Sequence, residues 1–272
     1  MSSTVVNGVG EILQRCREEG RAALVGYLPV GFPTVEGSLQ AMRVLVEAGC
    51  DIVEVGVPYS DPLMDGPVIQ HAASTALAGG ARVDDVFRAT QAVRDAGGSA
   101  LVMTYWNLVL RRGVERFAAD LAASGGSGLI TPDLIPDEGG EWIAASDAHG
   151  LDRVFLVAPS STPERLSAVT SACRGFVYAA STMGVTGARA SVDSDARGLV
   201  ERTRAVTDLP VCVGLGVSTG AQAAELAAYA DGVIVGSALV RTLTGPGELA
   251  DRLEALRALT NELADGVRGG RG

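Results

Sequence analysis

Short apolar runs rich in Val, Ile and Ala recur along the chain, and each is followed by polar or glycine-rich residues and then by a segment with apolar residues at helical spacing. Continuous apolar runs, rather than strict alternation, are typical of parallel strands that helices cover. The intervening segments commonly end at glycine, as helices do. The pattern predicts strands at residues 22–28, 51–57, 100–106, 128–131, 153–159, 175–180, 210–216 and 231–237.

These eight β/α units in about 250 residues are the expected content of a (β/α)8 barrel. An open doubly wound sheet is the alternative, because alternating strands and helices do not by themselves close a barrel. Even spacing, and polar residues at the C-terminal ends of many strands, favour the barrel. We predict a single (β/α)8 TIM barrel domain over residues 1–272, with flexible ends at 1–10 and 266–272 and an extra N-terminal helix at 11–20 that covers the lower end of the barrel.

Composition and charge narrow the class of partner. The chain is 47% hydrophobic and 4% aromatic over 272 residues, which suits one large core. A formal net charge of −10 disfavours nucleic acid and anionic membrane surfaces, because both require a basic face on the protein. No stretch approaches the roughly 20 apolar residues of a membrane span, and the first residues lack the features of a signal peptide. The expected location is therefore the cytoplasm.

The chain has no lysine, because all 22 residues counted as Lys plus Arg are arginine. A lysine Schiff base is therefore excluded, and so is covalent attachment of pyridoxal phosphate to this chain. The two histidines (His71 and His149) lie in helix-like stretches, and the four cysteines are widely spaced and form no CxxC motif. We accordingly predict no metal site and no cofactor in this chain. Any catalysis by this chain must therefore rely largely on carboxylates, hydroxyls and backbone dipoles.

Glu54 lies between Val53 and Val55, in a predicted strand. If the two valines face the surrounding helices, alternation turns Ile52, Glu54 and Gly56 into the barrel, near the C-terminal face where barrel enzymes place their chemistry. A partly desolvated carboxyl there has a raised pKa and exchanges protons near neutral pH. The alternative is a glutamate paired with an arginine or solvated at the barrel mouth.

Asp65 follows in SDPLMDGP, the loop that leaves the Glu54 strand. Asp followed by Gly is also an ordinary turn signal, and taken alone the turn would be the better interpretation. The position of the loop, directly after the Glu54 strand on the active face, favours a functional role. Asp61, just before Pro62, is interpreted as a turn or loop-closing residue.

Three glycine-rich segments follow the sixth, seventh and eighth predicted strands: GVTG at 184–187, GLG at 214–216 and GS at 236–237. Glycine lets backbone N–H groups approach an anion closely, and the last segment opens a short helix whose N-terminus favours negative charge. Loops after the seventh and eighth strands commonly bind phosphate in this fold. Together they predict a phosphate site that needs no lysine.

Tyr27, Tyr105 and Tyr178 each lie near the C-terminal end of a predicted strand. In a chain with so few aromatic residues, this placement predicts a pocket for a flat apolar group. Further walls of the pocket would be Met103, Ile130 and Leu215. The alternative, equally compatible with each tyrosine taken separately, is that the rings fill the top layer of the barrel.

Segments along nearly the whole chain resemble the α subunit of tryptophan synthase, particularly its actinobacterial form. They are GYLPVGFPT, VEVGVPYSDPLMDGPVIQ, MTYWN, PDLIPDE, FLVAPSS, YAASTMGVTGARA, VCVGLGVS and DGVIVGSAL. The resemblance implies a (β/α)8 barrel that cleaves indole-3-glycerol phosphate to indole and glyceraldehyde 3-phosphate in tryptophan biosynthesis. It also implies an α₂β₂ complex with a β subunit that carries pyridoxal phosphate and joins indole to serine.

The resemblance also implies roles for individual residues. It places the catalytic glutamate of the family on Glu54 and its loop aspartate on Asp65, and it places Pro58 and Asp61 in the loop that faces the β subunit. The substrate-binding residues predicted in this way, together with those from the pocket and the phosphate loops, are Tyr27, Tyr105, Ile130, Tyr178, Thr186, Gly187, Leu215, Gly216, Gly236 and Ser237.

A retro-aldol cleavage needs an electron sink, and a chain without lysine or an evident metal site has no sink of its own. An indole ring protonated at carbon 3 supplies one. We expect Glu54 to protonate that carbon and to accept the proton of the glycerol hydroxyl, and Asp65 to hold the indole N–H. Two alternatives remain open: a subunit that chiefly regulates its partner, and an isomerase of another phosphorylated metabolite.

Overall fold

A computed structural model describes residues 8–180, 189–214 and 216–270, apart from the side chains of 189–194. The strands are β1 (Ala23–Pro29), β2 (Ile52–Gly56), β3 (Ser99–Met103), β4 (Gly128–Ile130), β5 (Asp152–Val154), β6 (Leu156–Val157), β7 (Val177–Ala180), β8 (Val211–Gly214) and β9 (Gly232–Val235). The helices are α1 (Val9–Glu18), α2 (Val35–Glu47), α3 (Pro67–Ala78), α4 (Asp84–Asp95), α5 (Trp106–Arg112), α6 (Val114–Ala123), α7 (Gly140–Ala148), α8 (Pro163–Ala172), α9 (Arg189–Arg204), α10 (Gly220–Ala227), α11 (Ser237–Thr242) and α12 (Leu249–Gly269), with a 3-10 turn at Pro136–Glu138.

The strands form one parallel sheet in the order β5-β4-β3-β2-β1-β9-β8-β7-β6. Its two edge strands, β5 and β6, are separated only by Phe155. The carbonyl of Val154 accepts the amide of Thr131, and the carbonyl of Phe155 accepts the amide of Tyr178. The edges of the sheet therefore meet in one stretch of chain, and the barrel closes there. This confirms the predicted (β/α)8 barrel and excludes the open sheet.

Seven of the predicted apolar runs each overlap one strand, and the fifth overlaps both β5 and β6. Phe155 itself packs in the cluster between strands and helices, whereas Val154 and Leu156 pack inside the barrel. The alternation of side chains thus continues through the break. The fifth run therefore occupies the place of one barrel strand, and its ladder of hydrogen bonds is interrupted at Phe155.

Side chains alternate between two apolar clusters, as the sequence predicts for β2. Val53 and Val55 pack outward against the helices, whereas Ile52 lies in the cluster inside the barrel. The members of the inner cluster from the strand regions are Ala23, Val25, Ile52, Leu101, Ile130, Val154, Phe176, Cys212 and Ile234. Because Glu54 is two residues after Ile52, its carboxyl faces the same interior, one step closer to the C-terminal end.

Helix α1 closes the N-terminal end of the barrel. Val9, Leu13 and Cys16 are buried on one face of the helix and join the inner cluster. The amide of Val9, the first residue of the helix, donates to a carboxylate oxygen of Asp152 at 2.8 Å, so an acceptor at the start of β5 fixes the helix N-terminus. The predicted extra helix is confirmed, beginning two residues earlier than predicted.

Parts of the two predicted flexible ends belong to helices. Residues 9 and 10 already belong to α1, and residues 266–269 form the last turn of α12. Burial of Val267 explains the latter, because its side chain packs in the outer apolar cluster. The rest of the two predicted flexible ends, residues 1–7 and 271–272, lies outside the described residues. Across the described part of the chain, we find no helix with the length and apolar content that a membrane crossing requires.

Candidate active site

Glu54 is the centre of the site at the C-terminal end of the barrel. It is only 1% exposed, and its Oε2 atom has no hydrogen-bond partner among the described residues. Burial raises the pKa of Glu54 to about 8, and the charge of Asp65 adds to this effect. Its carboxyl group is therefore mostly protonated at neutral pH and close to its titration point. No arginine in the described part of the chain forms an ion pair with it, so the alternative of a paired structural glutamate is not what the structure shows.

Tyr27 lies beside Glu54 because the two residues are register partners on β1 and β2. Its ring leans toward Gly56, two residues beyond Glu54 on the same face of β2. A β-carbon at residue 56 would collide with the hydroxyl and ring of Tyr27. The glycine thus makes room for the ring, which lies between Glu54 and the barrel mouth.

Tyr178 is placed in the same way on the opposite part of the rim. Its register partner is Cys212, and a β-carbon at Gly214, two residues further along β8, would come within 2.5 Å of its hydroxyl. Both tyrosines therefore depend on a glycine of the next strand. Burial raises the pKa of Tyr178 well above its usual value, and the charge of Glu54 raises it further.

The phenol of Tyr27 is also strongly affected by its surroundings. Burial raises its pKa well above the usual value, and the charges of Asp65 and Glu54 raise it further. Tyr27 is therefore a protonated hydrogen-bond donor that lies close to both carboxylates. Of the tyrosines predicted to line the pocket, the structure brings Tyr27 and Tyr178 together with Glu54.

Asp65 lies in the loop between β2 and α3 and is partly exposed. Burial raises its pKa, and the charge of its carboxylate raises the pKa of Glu54 and of Tyr27, so it lies near both. The side-chain amide of Gln70 in α3 donates to the carbonyl of Asp65 at 2.8 Å. Glu54 is thus deep in the site and Asp65 is nearer the surface, close enough for its charge to affect the glutamate.

Tyr105 contacts the Asp65 loop through its hydroxyl. This oxygen accepts the amides of Leu63 at 3.0 Å and Met64 at 3.2 Å, and the ring packs against Tyr59 with centroids 4.6 Å apart. Sequence reasoning placed Tyr105 in the pocket wall but missed both its loop contacts and the part played by Tyr59. Tyr59 and Tyr105 can both be read from the sequence, but the contact between their rings cannot.

Two of the other predicted positions differ in exposure. Ile130 is fully buried in the inner apolar cluster, so its side chain fills the barrel beneath the mouth. Pro58 is also buried in this chain, whereas Asp61 is exposed and accepts the hydroxyl of Ser60 at 2.6 Å. Of the two residues predicted to face a partner, only Asp61 lies on the surface.

The candidate phosphate residues lie on the same rim as Glu54. Gly216 follows β8, is exposed, and has a φ of +46°, a conformation that favours glycine. Gly236 follows β9 and precedes Ser237, the first residue of α11, and both are partly exposed. Because β8 and β9 are neighbours, these residues are close together at the C-terminal edge. Thr186, Gly187 and Leu215 lie outside the described residues.

The histidines and cysteines supply no further group to the proposed chemistry, although Cys212 is the register partner of Tyr178. His149 pairs with Glu115 at 2.7 Å, and the four cysteines are free and buried. Burial raises the pKa of the Cys16 thiol to about 12 and that of Cys173 to about 11, so both remain protonated. Within the described ranges, His, Cys, Asp and Glu residues form no cluster that could hold a metal ion.

Comparisons with known proteins agree over almost the full length. A family model described as tryptophan synthase alpha chain matches residues 13–268. The tryptophan synthase alpha chain of Mycobacterium marinum is 64% identical over 260 residues, which cover 96% of this chain and 94% of the relative. The fold superposes on Mycobacterium tuberculosis tryptophan synthase with a TM-score of 0.89 at 63% identity, covering 96% of this chain and 98% of that one. The alpha subunit from Legionella pneumophila gives a TM-score of 0.87 at 29% identity, with 95% and 97% coverage.

Proposed function

Because this chain belongs to the tryptophan synthase alpha chain family, we propose that Glu54 and Asp65 carry out the reaction of that subunit. The reaction is the cleavage of indole-3-glycerol phosphate to indole and glyceraldehyde 3-phosphate in tryptophan biosynthesis, which makes the chain a carbon–carbon lyase. The observation that carries the assignment is a buried glutamate with a pKa of about 8, whose Oε2 atom has no hydrogen-bond partner among the described residues and whose carboxyl is influenced by the charge of Asp65.

Glu54 acts first as the acid. With a pKa of about 8 it holds a proton at neutral pH and transfers it to carbon 3 of the indole ring. Protonation gives an indolenine whose positive charge is centred on the ring nitrogen. Asp65 accepts a hydrogen bond from that N–H and stabilises the developing charge. The ring thereby becomes the electron sink that the lysine-free chain does not provide.

Glu54 then acts as the base. Its carboxylate takes the proton of the glycerol hydroxyl on the carbon attached to the ring. The carbon–oxygen bond becomes a carbonyl, the carbon–carbon bond to the ring breaks, and its electron pair restores the aromatic indole. One proton is gained at carbon 3 and one is lost from the hydroxyl, so the glutamate is regenerated in its protonated form.

The remaining site residues bind the two ends of the substrate. Tyr27 and Tyr178 flank the indole above Glu54, with Tyr105 and Ile130 as further walls. The phosphate lies at Gly216, Gly236 and Ser237, where backbone N–H groups are available to an anion. Thr186, Gly187 and Leu215 complete the predicted set.

The subunit works in an α₂β₂ complex with the β subunit of tryptophan synthase. Pyridoxal phosphate belongs to that partner alone, because this chain has no lysine to hold it. The loop with Pro58 and Asp61 faces the β subunit, and the exposed Asp61 is the residue that contacts it directly. The complex works in the cytoplasm.

Glu54→Gln in the assembled complex tests the assignment, with release of glyceraldehyde 3-phosphate followed by a coupled dehydrogenase. We expect the cleavage rate to fall by about 100- to 10,000-fold, the usual contribution of a general acid–base group. Conversion of added indole and serine to tryptophan should be unchanged, which shows that the β subunit is active. Glu201→Gln, on the exposed surface of α9, is the matched control.

Cleavage at the normal rate by Glu54→Gln would refute the assignment and leave a regulatory subunit as the better interpretation. If the unmodified complex consumes no indole-3-glycerol phosphate but rearranges another sugar phosphate, the isomerase alternative would replace it. Detection of indole by its absorbance or by NMR separates these outcomes.

A further inference from the structure

The loop that carries Asp65 has few fixed points. It runs from the end of β2 to the start of α3 without helix or strand, and its side chains project outward, with Leu63 80% and Met64 45% exposed. A loop of this kind holds a catalytic group poorly unless its backbone is bound elsewhere. The position of its carboxylate therefore depends on the bond from Gln70 to the carbonyl of Asp65 and on what holds the two residues directly before it.

Tyr105 binds the backbone at these two residues. Its hydroxyl oxygen accepts the amide of Leu63 at 3.0 Å and the amide of Met64 at 3.2 Å. Tyr105 is separated from them by about 40 residues of sequence, so the contact fixes the loop to a different strand of the barrel. Its own position is rigid, because the residue follows β3, immediately precedes α5, and is only 6% exposed.

Tyr59 strengthens the contact from the other end of the loop. Its ring lies against that of Tyr105 with centroids 4.6 Å apart, and its hydroxyl accepts the side-chain amide of Asn107 at 3.1 Å. The loop is thus attached to the β3–α5 connection at both a ring contact and two hydrogen bonds. These contacts restrict the approach of Asp65 to the space above Glu54.

The hydroxyl of Tyr105 has one interaction left after accepting two amides, the donation of its own proton. Burial raises the pKa of this phenol, and the charge of Asp65 also raises it, so the proton stays in place and Asp65 is close. The hydroxyl therefore binds the loop backbone with its oxygen and keeps its own proton as a donor.

We propose that Tyr105 is a positioning residue for the cleavage reaction, and that its hydroxyl holds Leu63 and Met64 so that Asp65 stays above Glu54. The inference rests on the proposed function, since it assigns to Tyr105 an effect exerted through Asp65. It adds to the role of pocket wall, because it assigns a separate effect to the hydroxyl rather than to the ring face.

Tyr105→Phe in the assembled complex keeps the ring and its contact with Tyr59 but removes the acceptor. We expect kcat for cleavage to fall by about 10- to 100-fold, because misplacing a catalytic group by about 1 Å has effects of this size. KM should change less than kcat. Tyr229→Phe, a buried tyrosine just before the N-terminal end of β9 and remote from the mouth, is the matched control and should cleave at the parent rate.

A double-mutant cycle with Asp65→Asn distinguishes positioning from direct substrate contact. If Tyr105 acts through Asp65, adding Tyr105→Phe to Asp65→Asn causes no further loss beyond about twofold, as measured in single turnovers with excess enzyme. An equal loss in both backgrounds would overturn the proposal, and so would a normal kcat for Tyr105→Phe. Failure of the proposed function is a different result, namely a normal rate for Asp65→Asn or Glu54→Gln.

Hydrogen exchange tests the same attachment on the unmodified full-length chain without the β subunit. This measurement does not depend on whether a variant folds. The amides of Leu63 and Met64 should exchange at least about tenfold more slowly than the unstructured-peptide rate, because each is hydrogen bonded. Exchange at the unstructured-peptide rate at both amides would show that the attachment is absent, and would overturn the proposal.

Discussion

Tyr27 and Glu54 are register partners on neighbouring parallel strands, and the ring of Tyr27 passes from β1 over Gly56 of β2. The ring therefore covers Glu54 from the side of the barrel mouth. This relationship helps to explain why the carboxyl is 1% exposed although it lies near the C-terminal end of its strand. The burial that raises the pKa of Glu54 thus depends on a glycine two residues further along the chain.

Gly56→Ala should displace Tyr27, since the added methyl group meets the ring and hydroxyl. We expect a loss of about 1–3 kcal/mol in the free energy of unfolding, as for other overpacked cores, and at least a tenfold drop in cleavage. Urea unfolding and the coupled cleavage assay measure the two effects. Gly198→Ala, in α9 with open space around the residue, is the control and should keep or slightly gain stability, because alanine favours a helix over glycine.

Combining Gly56→Ala with Tyr27→Leu tests the same contact from the other side. The smaller side chain removes the collision, so the double variant should regain part of the stability lost by Gly56→Ala alone. If the two losses simply add, the ring does not occupy the space next to residue 56.

The architecture was accessible from sequence because it depends on local patterns. Eight apolar runs place the strands, and alternation around Val53 and Val55 turns Glu54 inward, as the structure shows. The seating of Tyr27 over Gly56 was not predictable in the same way. It depends on which residues of β1 and β2 are register partners, and the register is fixed only when the barrel closes.

Contacts distant in sequence were missed for the same reason. The attachment of Tyr105 to Leu63 and Met64 requires the β2–α3 loop to fold over the end of β3, and no spacing rule predicts that. The division of the fifth strand at Phe155 has no signal in its continuous apolar run.

Glu54→Gln should change stability in a pH-dependent way. The folded carboxyl has a pKa of about 8, against a usual value of 4.5, so between these values the unfolded chain loses a proton that the folded chain keeps. Raising the pH between these values therefore lowers the free energy of unfolding of the parent chain, by about 1.4 kcal/mol for each pH unit. Glutamine does not titrate. The free energy of unfolding of the Glu54→Gln variant, relative to that of the parent, should therefore increase from pH 5 to pH 8.

Urea unfolding of both chains at pH 5, 6.5 and 8 measures this advantage. We expect the difference in free energy of unfolding to rise by about 3–4 kcal/mol across the range. Glu201→Gln, at an exposed position, should keep a constant difference from the parent. A constant difference for Glu54→Gln as well would mean that the folded carboxyl is not held in its protonated form.

Asp65→Asn should lower the pKa of Glu54. The charge of Asp65 contributes to the raised pKa of Glu54, after burial, and its removal makes ionisation of the glutamate easier. Cleavage should fall by about 100-fold or more, since the indolenine loses its counter-charge. The residual activity should titrate at a lower pH than that of the parent, because the glutamate now loses its proton earlier.

An NMR titration of carbon-13-labelled glutamate follows the Glu54 carboxyl directly. Asp61→Asn, in the same loop but exposed, is the control and should leave the titration of Glu54 in place. If Asp65→Asn also leaves the pKa of Glu54 unchanged, the two carboxylates do not influence each other electrostatically.

Leu13→Ala should separate the stability of the barrel from its chemistry. Leu13 is buried in the inner cluster at the N-terminal end, whereas Glu54 and Asp65 lie toward the opposite end. Truncation should cost about 2–5 kcal/mol in urea unfolding, the usual range for a buried leucine, with kcat for cleavage within about twofold of the parent. Gln14→Ala, on the exposed face of the same helix, should cost far less. A loss below about 1 kcal/mol would mean that α1 covers the barrel without filling it, and a large drop in kcat would mean that the floor of the barrel controls the position of Glu54.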